Sequence, residues 1–183
     1  RKHVICEKPG AIKSADIAKA IHIAKENNLR YLVSFNHRFH EAFLAAKQLI
    51  DQNKIGKIIF IRSRYGFGGR PGYEKEWRHK KALGGGQLLD QGVHMIDLTR
   101  YFFGKIEKVA GFAENTFWNS NVDDNAFAVF KGPGKKLASM HVSWTNWKPT
   151  HSFEIFGDKG YIIIEGLGRK YGGSEKVVWQ GTK

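Results

Sequence analysis

Apolar and polar positions follow two different periods along this chain, and the change of period separates its elements. Apolar runs from Arg1 to Cys6 and from Tyr31 to Ser34 are typical of strands, and we expect the first to be buried. Between them an apolar stripe from Ile17 to Ala24 predicts a helix, with Ser14 as its N-cap and an end at residues 27–28. Strand, helix and strand in this order predict a parallel crossover unit.

The remainder of the chain alternates between helical and strand periods. A second helix is predicted from Phe39 to about Gln52, a strand from Lys57 to Tyr65 and a third helix from Gly84 to Phe103. The basic, glycine-rich connection at 66–86 is interpreted as a functional loop, because long connections in compact domains usually carry function. The tail after Gly166 is expected to be loop. Five further strands are predicted after the third helix: Val109–Trp118, Asn125–Phe130, Leu137–Trp144, Phe153–Phe156 and Tyr161–Ile164.

Short turns between consecutive strands favour antiparallel pairing. The pattern therefore predicts an α+β fold, in which a large, mostly antiparallel open sheet carries the two later helices on one face and follows a small α/β portion. We place the two domains at residues 1–34 and 35–183. Because the chain opens inside an apolar strand, and because its tail is rich in glycine and lysine, we expect an excerpt from a longer protein that is truncated at both ends.

Composition narrows the class of protein. A chain of 183 residues with 42% hydrophobic and 26% charged positions is typical of a globular protein. Cys6 is the single cysteine, so no intrachain disulfide can form and the cytoplasm is the expected compartment. No apolar run approaches the roughly 20 residues of a membrane span, and no membrane partner is expected. The formal net charge of +13 is unusual and raises the possibility of a polyanionic partner.

Candidate chemistry concentrates in the third predicted helix. Asp90 and His94 are four residues apart, which places them on one face of a helix, and Asp97 is close to that face. An imidazole with an unperturbed pKa of about 6.5 suits proton exchange with a hydroxyl, and a carboxylate one turn away can orient it. Asp97 is expected to be structural and to hold a backbone group or an arginine. Lys8 follows the first strand, where α/β sheets place their ligands.

Several short motifs occur in a characteristic order. They are Glu7-Lys8-Pro9 after the first strand, Asn36 and Arg38 after the next, the pair Trp77-Arg78, and a Gly-Gly segment leading into Asp90, His94 and Asp97. In this order they resemble the oxidoreductase family of glucose-fructose oxidoreductase and inositol dehydrogenase, from residue 3 to about residue 165. The resemblance implies that residues 1–34 are the remnant of a dinucleotide-binding Rossmann domain and that residues 35–183 form the substrate-binding α/β domain.

The same resemblance implies a dehydrogenase or reductase that uses NAD or NADP and acts on a hydroxyl carbon of a sugar, cyclitol or nucleotide sugar. His94 would be the general acid/base, with Lys8 and Asp90 positioning the hydroxyl. The Lys8–Pro9 peptide would be cis, and the protein would form a homo-oligomer through its open sheet. The residues expected to bind the cofactor are Glu7, Lys8, Pro9, Asn36, Arg38, Trp77 and Arg78.

The sequence departs from the family in one respect. The glycine cluster Gly66–Gly69 lacks the G-x-G-x-x-G spacing of a dinucleotide-binding turn, follows a strand of the second domain and is not followed at once by a helix. We therefore expect this chain alone to bind a dinucleotide poorly and to be inactive without the nucleotide-binding part.

Two alternatives remain open. A metal-dependent lyase or hydrolase would use Asp90, His94 and Asp97 as ligands, although no second His or Cys cluster completes a shell and no metal is expected. A module that binds nucleic acid or another polyanion would use the net charge and the basic, aromatic loop at 62–81, although no nucleic-acid-binding signature is present and no such partner is expected. Weaker candidates for substrate recognition are Arg64, Arg70, Tyr73, His79, Trp118 and His141.

Overall fold

A computed structural model describes residues 2–182 of the chain. The chain separates into two compact units, one ending at Asn36 and one beginning at His37. Arg1, at which the first predicted strand begins, lies outside the described residues, as does Lys183.

The first unit is a strand, a helix and a second strand. Strand β1 (Val4–Glu7) and strand β2 (Tyr31–Ser34) pair in parallel on either side of helix α1 (Ser14–Glu26) in the chain, which confirms the predicted crossover unit. The N-cap prediction is wrong by one residue. Lys13 holds the extended backbone of the N-cap, and Ser14 is already helical, a shift within the ordinary uncertainty of helix ends.

The expectation that the first strand is buried is also wrong. Ile5 of β1 is 77% exposed, and no residue of α1 is buried. A sheet of two strands with one helix cannot enclose its apolar side chains, because burial on both faces needs further elements. The unit therefore carries exposed apolar residues on each of its three elements.

Residues 37–182, the described part of the second unit, contain one seven-stranded sheet and two α-helices. Helix α2 (Glu41–Asp51) and helix α3 (Val93–Phe103) flank strand β3 (Ile58–Gly66) in the chain. The strand order is β4-β5-β6-β3-β7-β8-β9, so β3 lies at the centre, parallel to β6 and antiparallel to β7. All other neighbours are antiparallel. The remaining strands are β4 (Lys108–Glu114), β5 (Asn125–Lys131), β6 (Leu137–Ser143), β7 (Thr150–Gly157), β8 (Gly160–Glu165) and β9 (Lys176–Gly181).

The core lies between the two helices and one face of the sheet. Phe43 of α2 and Leu98 of α3 are fully buried, as are the central sheet residues Ile155 and Ile162. These side chains belong to one continuous hydrophobic cluster, which confirms that both helices cover the same face. Each fully buried aliphatic or aromatic side chain of this kind contributes about 1.5–3 kcal/mol to stability. Within residues 2–182, no helix reaches the length and apolar character needed to traverse a bilayer.

Two predictions for this unit require correction. The tail after Gly166 is not all loop, because strand β9 pairs antiparallel with β8 along its whole length. Its Val177, Val178 and Trp179 are strong strand formers, but the glycines and lysines around them obscure the pattern. The third helix begins at Gln87 and not at Gly84, since Gly86 has the positive φ of +115° that a right-handed helix excludes.

The loop at 66–86 has its own small core. It contains three short 3₁₀ turns, Tyr73–Lys75, Trp77–His79 and Lys81–Leu83. Tyr73 and Trp144 are fully buried, Val122 is buried beside them, and Phe67 and Trp118 pack against this cluster. Three of the weaker recognition candidates, Tyr73, His79 and Trp118, belong to this aromatic contact network. The long connection is therefore an ordered segment anchored by aromatic packing.

Candidate active site

Asp90 and His94 occupy one continuous helical run of two types. Asp90 lies in a π-helical turn, Leu88–Gly92, and His94 is the second residue of α3. Short π-helical turns inside α-helices are frequent at functional sites. His94 is buried, with 5% of its surface exposed, and Asp90 is half-buried. The two predicted proton-handling residues are thus about one turn apart at the beginning of the helix.

Backbone contacts fix this helix beginning against the loop before it. The Gly86 amide donates to the Arg78 carbonyl at 2.8 Å, and the Gly85 amide donates to that of Lys80 at 3.1 Å. A side chain at Gly85 would meet the Arg78 carbonyl oxygen at 2.2 Å, so only glycine allows this approach. The Asp123 carboxylate accepts from the Leu88 amide at 2.7 Å and thereby satisfies one of the unpaired donors of the helix end.

Arg78 reaches from this loop to the carboxylate of Asp90. Its Nε donates to Asp90 Oδ2 at 3.1 Å, and its Nη1 donates to Glu76 Oε2 at 3.1 Å. Its guanidinium carbon also lies 4.8 Å from the centre of the Trp77 ring, which is 44% exposed. Burial lowers the pKa of Arg78, but the charge of Asp90 and the other neighbours raise it by more. The guanidinium, predicted to grip a cofactor group, is bound to a predicted catalytic residue.

The imidazole of His94 packs face to face on that of His37. The ring centres are 3.7 Å apart and the planes differ by 12°. His37 lies in a short 3₁₀ turn, Asn36–Phe39, and is 6% exposed. Its ring also meets Tyr65 edge-on at 5.6 Å and His151 at 6.4 Å. Sequence reasoning named both neighbours of His37, Asn36 and Arg38, but missed the residue between them.

Arg38 and Asp97 form an ion pair behind this stack. Arg38 Nε donates to Asp97 Oδ2 at 2.7 Å, and Nη2 donates to the other carboxylate oxygen. The prediction that Asp97 holds an arginine is therefore confirmed. The pair raises the pKa of Arg38, chiefly through the hydrogen bond to Asp97. Bidentate ion pairs of this type fix the relative position of their two partners. The turn that carries His37 is therefore tied to the helix that carries His94.

Two tyrosines lie close to the His37–His94 stack and the π-helical turn. Tyr65 of β3 and Tyr171, from the connection between β8 and β9, meet edge-on with ring centres 4.8 Å apart. The Tyr171 hydroxyl accepts from Gln91 Nε2 at 3.3 Å. Burial raises the pKa of both phenols, and the charge of Asp90 raises it further. Both tyrosines are therefore neutral at physiological pH. Tyr171 was missed because it lies in the segment predicted to be loop.

The remaining predicted residues belong to the first unit. Glu7 ends β1, Lys8 and Pro9 follow it, and Asn36 is the last residue of the unit. The Lys8–Pro9 peptide is cis, as the resemblance implies. Lys8 thus follows the carboxyl end of a parallel strand, the position at which open α/β sheets place ligands.

The glycine cluster at residues 66–69 does not form a phosphate-binding turn. A side chain at Gly68 would meet the Trp147 ring at 2.6 Å, and one at Gly69 would meet Trp118 at 2.6 Å. These glycines serve aromatic packing, and the segment leads into 3₁₀ turns instead of a long helix whose N-terminus could receive phosphate. This glycine cluster therefore does not fit the pyrophosphate of a dinucleotide.

Asp90, His94 and Asp97, the residues of the metal-site alternative, do not form a metal site in this structure. Arg38 holds Asp97, and Arg78 holds Asp90. In the described part of the chain, no group of three His, Cys, Asp or Glu side chains is placed to bind a metal ion. The geometry gives this alternative no support.

The face of the sheet opposite the helices is open. It holds a concave region of about 770 Å³ whose lining includes Arg62, Arg64, Phe127 and His141. The His141 ring stacks on Phe127 with centres 3.9 Å apart and planes within 9°. Burial lowers the pKa of His141, and the charge of Arg64, its register partner on β3, lowers it further. Two of the weaker recognition candidates, Arg64 and His141, therefore lie away from His94.

The comparison with known families decides the assignment of this domain. The family model described as the GFO/IDH/MocA C-terminal domain matches residues 43–163. The chain belongs to the GFO/IDH/MocA family. Among its relatives, the levoglucosan dehydrogenase of Pseudarthrobacter phenanthrenivorans is 37% identical over 112 residues, which are 59% of this chain and 28% of that protein. The trans-1,2-dihydrobenzene-1,2-diol dehydrogenase of Xenopus laevis is 29% identical over 89% of this chain and 48% of its own length.

A solved structure shares the fold. The WlbA dehydrogenase of Bordetella pertussis, in complex with NADH and UDP-GlcNAcA, matches 99% of this chain and 56% of its own with a TM-score of 0.86 and 22% identity. The chain thus spans about half, or less, of the length of these three proteins.

Proposed function

We propose that this chain is the substrate-binding part of an NAD(P)-dependent oxidoreductase that transfers a hydride between nicotinamide and a hydroxyl carbon of a sugar, cyclitol or nucleotide sugar. The observation that carries the proposal is the position of Asp90, held by Arg78, one helical turn before a buried His94 in a chain of this family. The relatives support the reaction class, because they are named as dehydrogenases and include a levoglucosan enzyme.

In this proposal, His94 accepts the proton of the reacting hydroxyl as the carbon is oxidised, and returns it in the reverse direction. A histidine suits this step because its pKa lies close to neutral pH. Asp90 orients the hydroxyl, and Arg78 fixes the carboxylate from the loop side. Lys8 donates a hydrogen bond to the same oxygen and stabilises its developing negative charge.

The nicotinamide group, when bound, supplies the hydride acceptor. We assign its binding to the residues that the resemblance names, with Lys8 as the shared contact between the cofactor and the substrate. The pyrophosphate requires a phosphate-binding turn from outside residues 2–182, as the packing of Gly68 and Gly69 indicates. We propose that residues 1–34 belong to a Rossmann domain that carries this turn, and that the enzyme works in the cytoplasm. The exposed apolar residues of β1 and α1 would pack within that domain.

Kinetics of the oxidoreductase that carries this chain test the proposal. NAD and NADP are each offered with a panel of cyclic polyols, anhydrosugars and nucleotide sugars, and formation of the reduced nicotinamide is followed. We expect turnover with at least one hydroxyl substrate. His94→Ala and Asp90→Asn should each lower kcat by about 10²- to 10⁴-fold, the usual contribution of acid–base catalysis.

His22→Gln is the matched control, because His22 is an exposed histidine of α1 paired only at the surface with Glu26. It should leave kcat unchanged. Full activity of the His94→Ala variant, or no turnover of any hydroxyl substrate by the wild type, would reject the proposed reaction.

We also propose that two copies pair through the open face of the sheet. Phe127 and Val129 of β5 and Leu137 of the adjacent β6 are each 56–57% exposed on this face. Contiguous exposed apolar surface of this kind marks an association site. Sedimentation of the wild type and of Val129→Glu tests the pairing. A dimer that the substitution converts to a monomer supports it, and a wild-type monomer at all concentrations refutes it.

A further inference from the structure

The His37–His94 stack is the closest parallel contact between two titratable rings in the described residues. Its centre-to-centre distance of 3.7 Å leaves no room for water between the rings. The Arg38–Asp97 ion pair ties the turn that carries His37 to α3. The plane of the His94 ring is therefore set by the ring of His37 as well as by its own helix.

Several side chains of the described residues surround the pair. Tyr65 of β3 and His151 of β7 meet His37 edge-on, and so does His40 before α2, which contacts Glu175. Burial and the charge of His40 lower the pKa of His151 to about 4, so His151 is neutral near pH 7. Burial also keeps Tyr65 neutral. On the helix side, Asp90 is bound by Arg78 and Asp97 by Arg38.

Two imidazoles at this distance cannot titrate independently. A proton on one ring opposes a proton on the other, because like charges in a buried site repel strongly. One imidazolium against one neutral ring is favourable, since a cation is attracted to an aromatic face. Two coupled groups of this kind lose their protons in two separate steps that belong to the pair.

We propose that His37 is a positioning residue that holds the plane of the His94 ring. Near neutral pH the two rings together bind at most one proton. The role in catalysis rests on the proposed function, whereas the shared proton does not. In the reaction, the neutral His37 ring supports the imidazolium that forms when His94 accepts the hydroxyl proton. His37 needs no contact with the substrate.

The shared proton is tested by NMR titration of the histidine ring protons in the 183-residue chain. We expect the His94 signal to show two inflections, at the same two pH values as the His37 signal. In His37→Phe, which keeps a stacked ring without a titrating group, His94 should titrate in one step. His37→Gln serves as a second variant if the first does not fold.

The chain provides its own control in His141, which stacks on Phe127 in almost the same geometry as the pair. His141 should titrate in one step in every variant. A single inflection for His94 in the wild type that does not move in His37→Phe would overturn the shared proton.

The positioning role is tested by the pH profile of kcat/KM in the oxidoreductase that carries this chain. His37→Phe should keep kcat within about threefold of wild type and reduce the number of pKa values in the profile by one, whereas His37→Ala should lower kcat about tenfold or more. Unchanged kinetics in both variants would refute positioning, even where the titration is coupled. Absence of oxidoreductase activity in the wild type would refute the proposed function and leave the titration result standing.

Discussion

Arg78 holds two carboxylates with one guanidinium, and this explains why an arginine stands at that position. Nε and Nη1 each donate to a different acid, Asp90 and Glu76, a geometry that a lysine ammonium cannot reproduce from one position. The family resemblance implies a cofactor-binding role for Arg78. It did not indicate that the partner is Asp90, because this contact depends on how residues 79–89 fold.

Arg78→Lys should therefore misplace Asp90 without removing it. We expect kcat/KM of the oxidoreductase to fall about 10- to 100-fold, since a shift of about 1 Å in a positioning group has effects of this size. Steady-state kinetics measure the loss. Arg62→Lys, which alters the Arg62–Glu154 ion pair on the open face, is the matched control and should have less than a twofold effect on a per-subunit basis. Equal effects of both substitutions would contradict the assignment.

Asp124 is a structural carboxylate with no direct role in the proposed chemistry. Fully buried, it accepts from the amides of Thr116, Phe117 and Trp118 at 2.8–2.9 Å. Burial raises its pKa, but these hydrogen bonds lower it by more, and the net pKa is below the usual value. The carboxylate thus stabilises the fold above the pKa of the unfolded group, and this contribution disappears as the pH falls through the lower folded value.

Asp124→Asn should lower the free energy of unfolding at pH 7 by about 1–3 kcal/mol, because the amide replaces one acceptor oxygen by a donor that faces backbone N–H groups. Urea denaturation measures the change. Asp158→Asn is the control, since Asp158 is exposed and accepts the amide of Lys57. An equal loss in both variants would show that burial of the carboxylate is not the cause.

At the level of elements, the glycines before α3 matter through contact and not through flexibility. Gly85 brings the helix beginning within hydrogen-bond distance of the Arg78–Lys80 backbone. The helix position and the position of Arg78 are therefore set by the same contact. Any side chain at Gly85 must push the two segments apart.

Gly85→Ala should lower both stability and kcat/KM, since the added methyl group would lie 2.2 Å from the Arg78 carbonyl oxygen. We expect a loss of about 2–3 kcal/mol in the free energy of unfolding, the upper range for overpacking. Gly181→Ala on the edge strand β9 is the control, because its nearest contact outside the adjoining residues is 3.6 Å. Thermal unfolding of both variants distinguishes a local steric effect from a general cost of replacing glycine.

Much of this element list follows from periodicity alone. The bounds of β2 and the pairing of β1 with β2 match the prediction, and Phe43 and Ala46 face the core as their spacing indicates. Strand β9 and the π-helical turn at Asp90 do not follow from it. Strand β9 forms through its pairing with β8, which a local pattern does not show. The π-helical turn depends on contacts of Asp123 and of the glycines at the beginning of the helix.

The candidate site could be predicted only where it depends on local spacing in the sequence. The four-residue spacing of Asp90 and His94 is local, and the sequence shows it directly. The stack of His37 on His94 joins residues far apart in the chain, and no local pattern indicates it. Tyr171 reaches the site only because β9 returns the chain along β8.

For the molecule as a whole, stability should depend on pH through His151. Burial lowers its pKa from 6.5 to about 4. Between these pH values the imidazole is protonated in the unfolded chain and neutral in the folded chain. The resulting stabilisation is complete above about pH 6.5 and is lost as the pH falls towards 4, by up to about 3 kcal/mol.

His151→Gln should remove this component, so that the free energy of unfolding falls less steeply between these pH values than in the wild type. Denaturation at a series of pH values gives both slopes, and their difference isolates His151 from the carboxylates, which titrate in both proteins. His22→Gln should keep the wild-type slope because His22 is exposed. Parallel curves for wild type and His151→Gln would refute the assignment.

The central place of β3 in the sheet governs how the second unit can be assembled. Its neighbours pair through contacts as distant in the chain as Phe60 with Leu137 and Ile58 with Gly157. During synthesis, β3 cannot pair on both edges until β6 and β7 have also been synthesised. Closing such long loops costs entropy before any pairing compensates it, and folding of this topology is correspondingly slow. A nascent chain of this kind exposes an apolar strand for most of its synthesis, which makes it a natural client for chaperones.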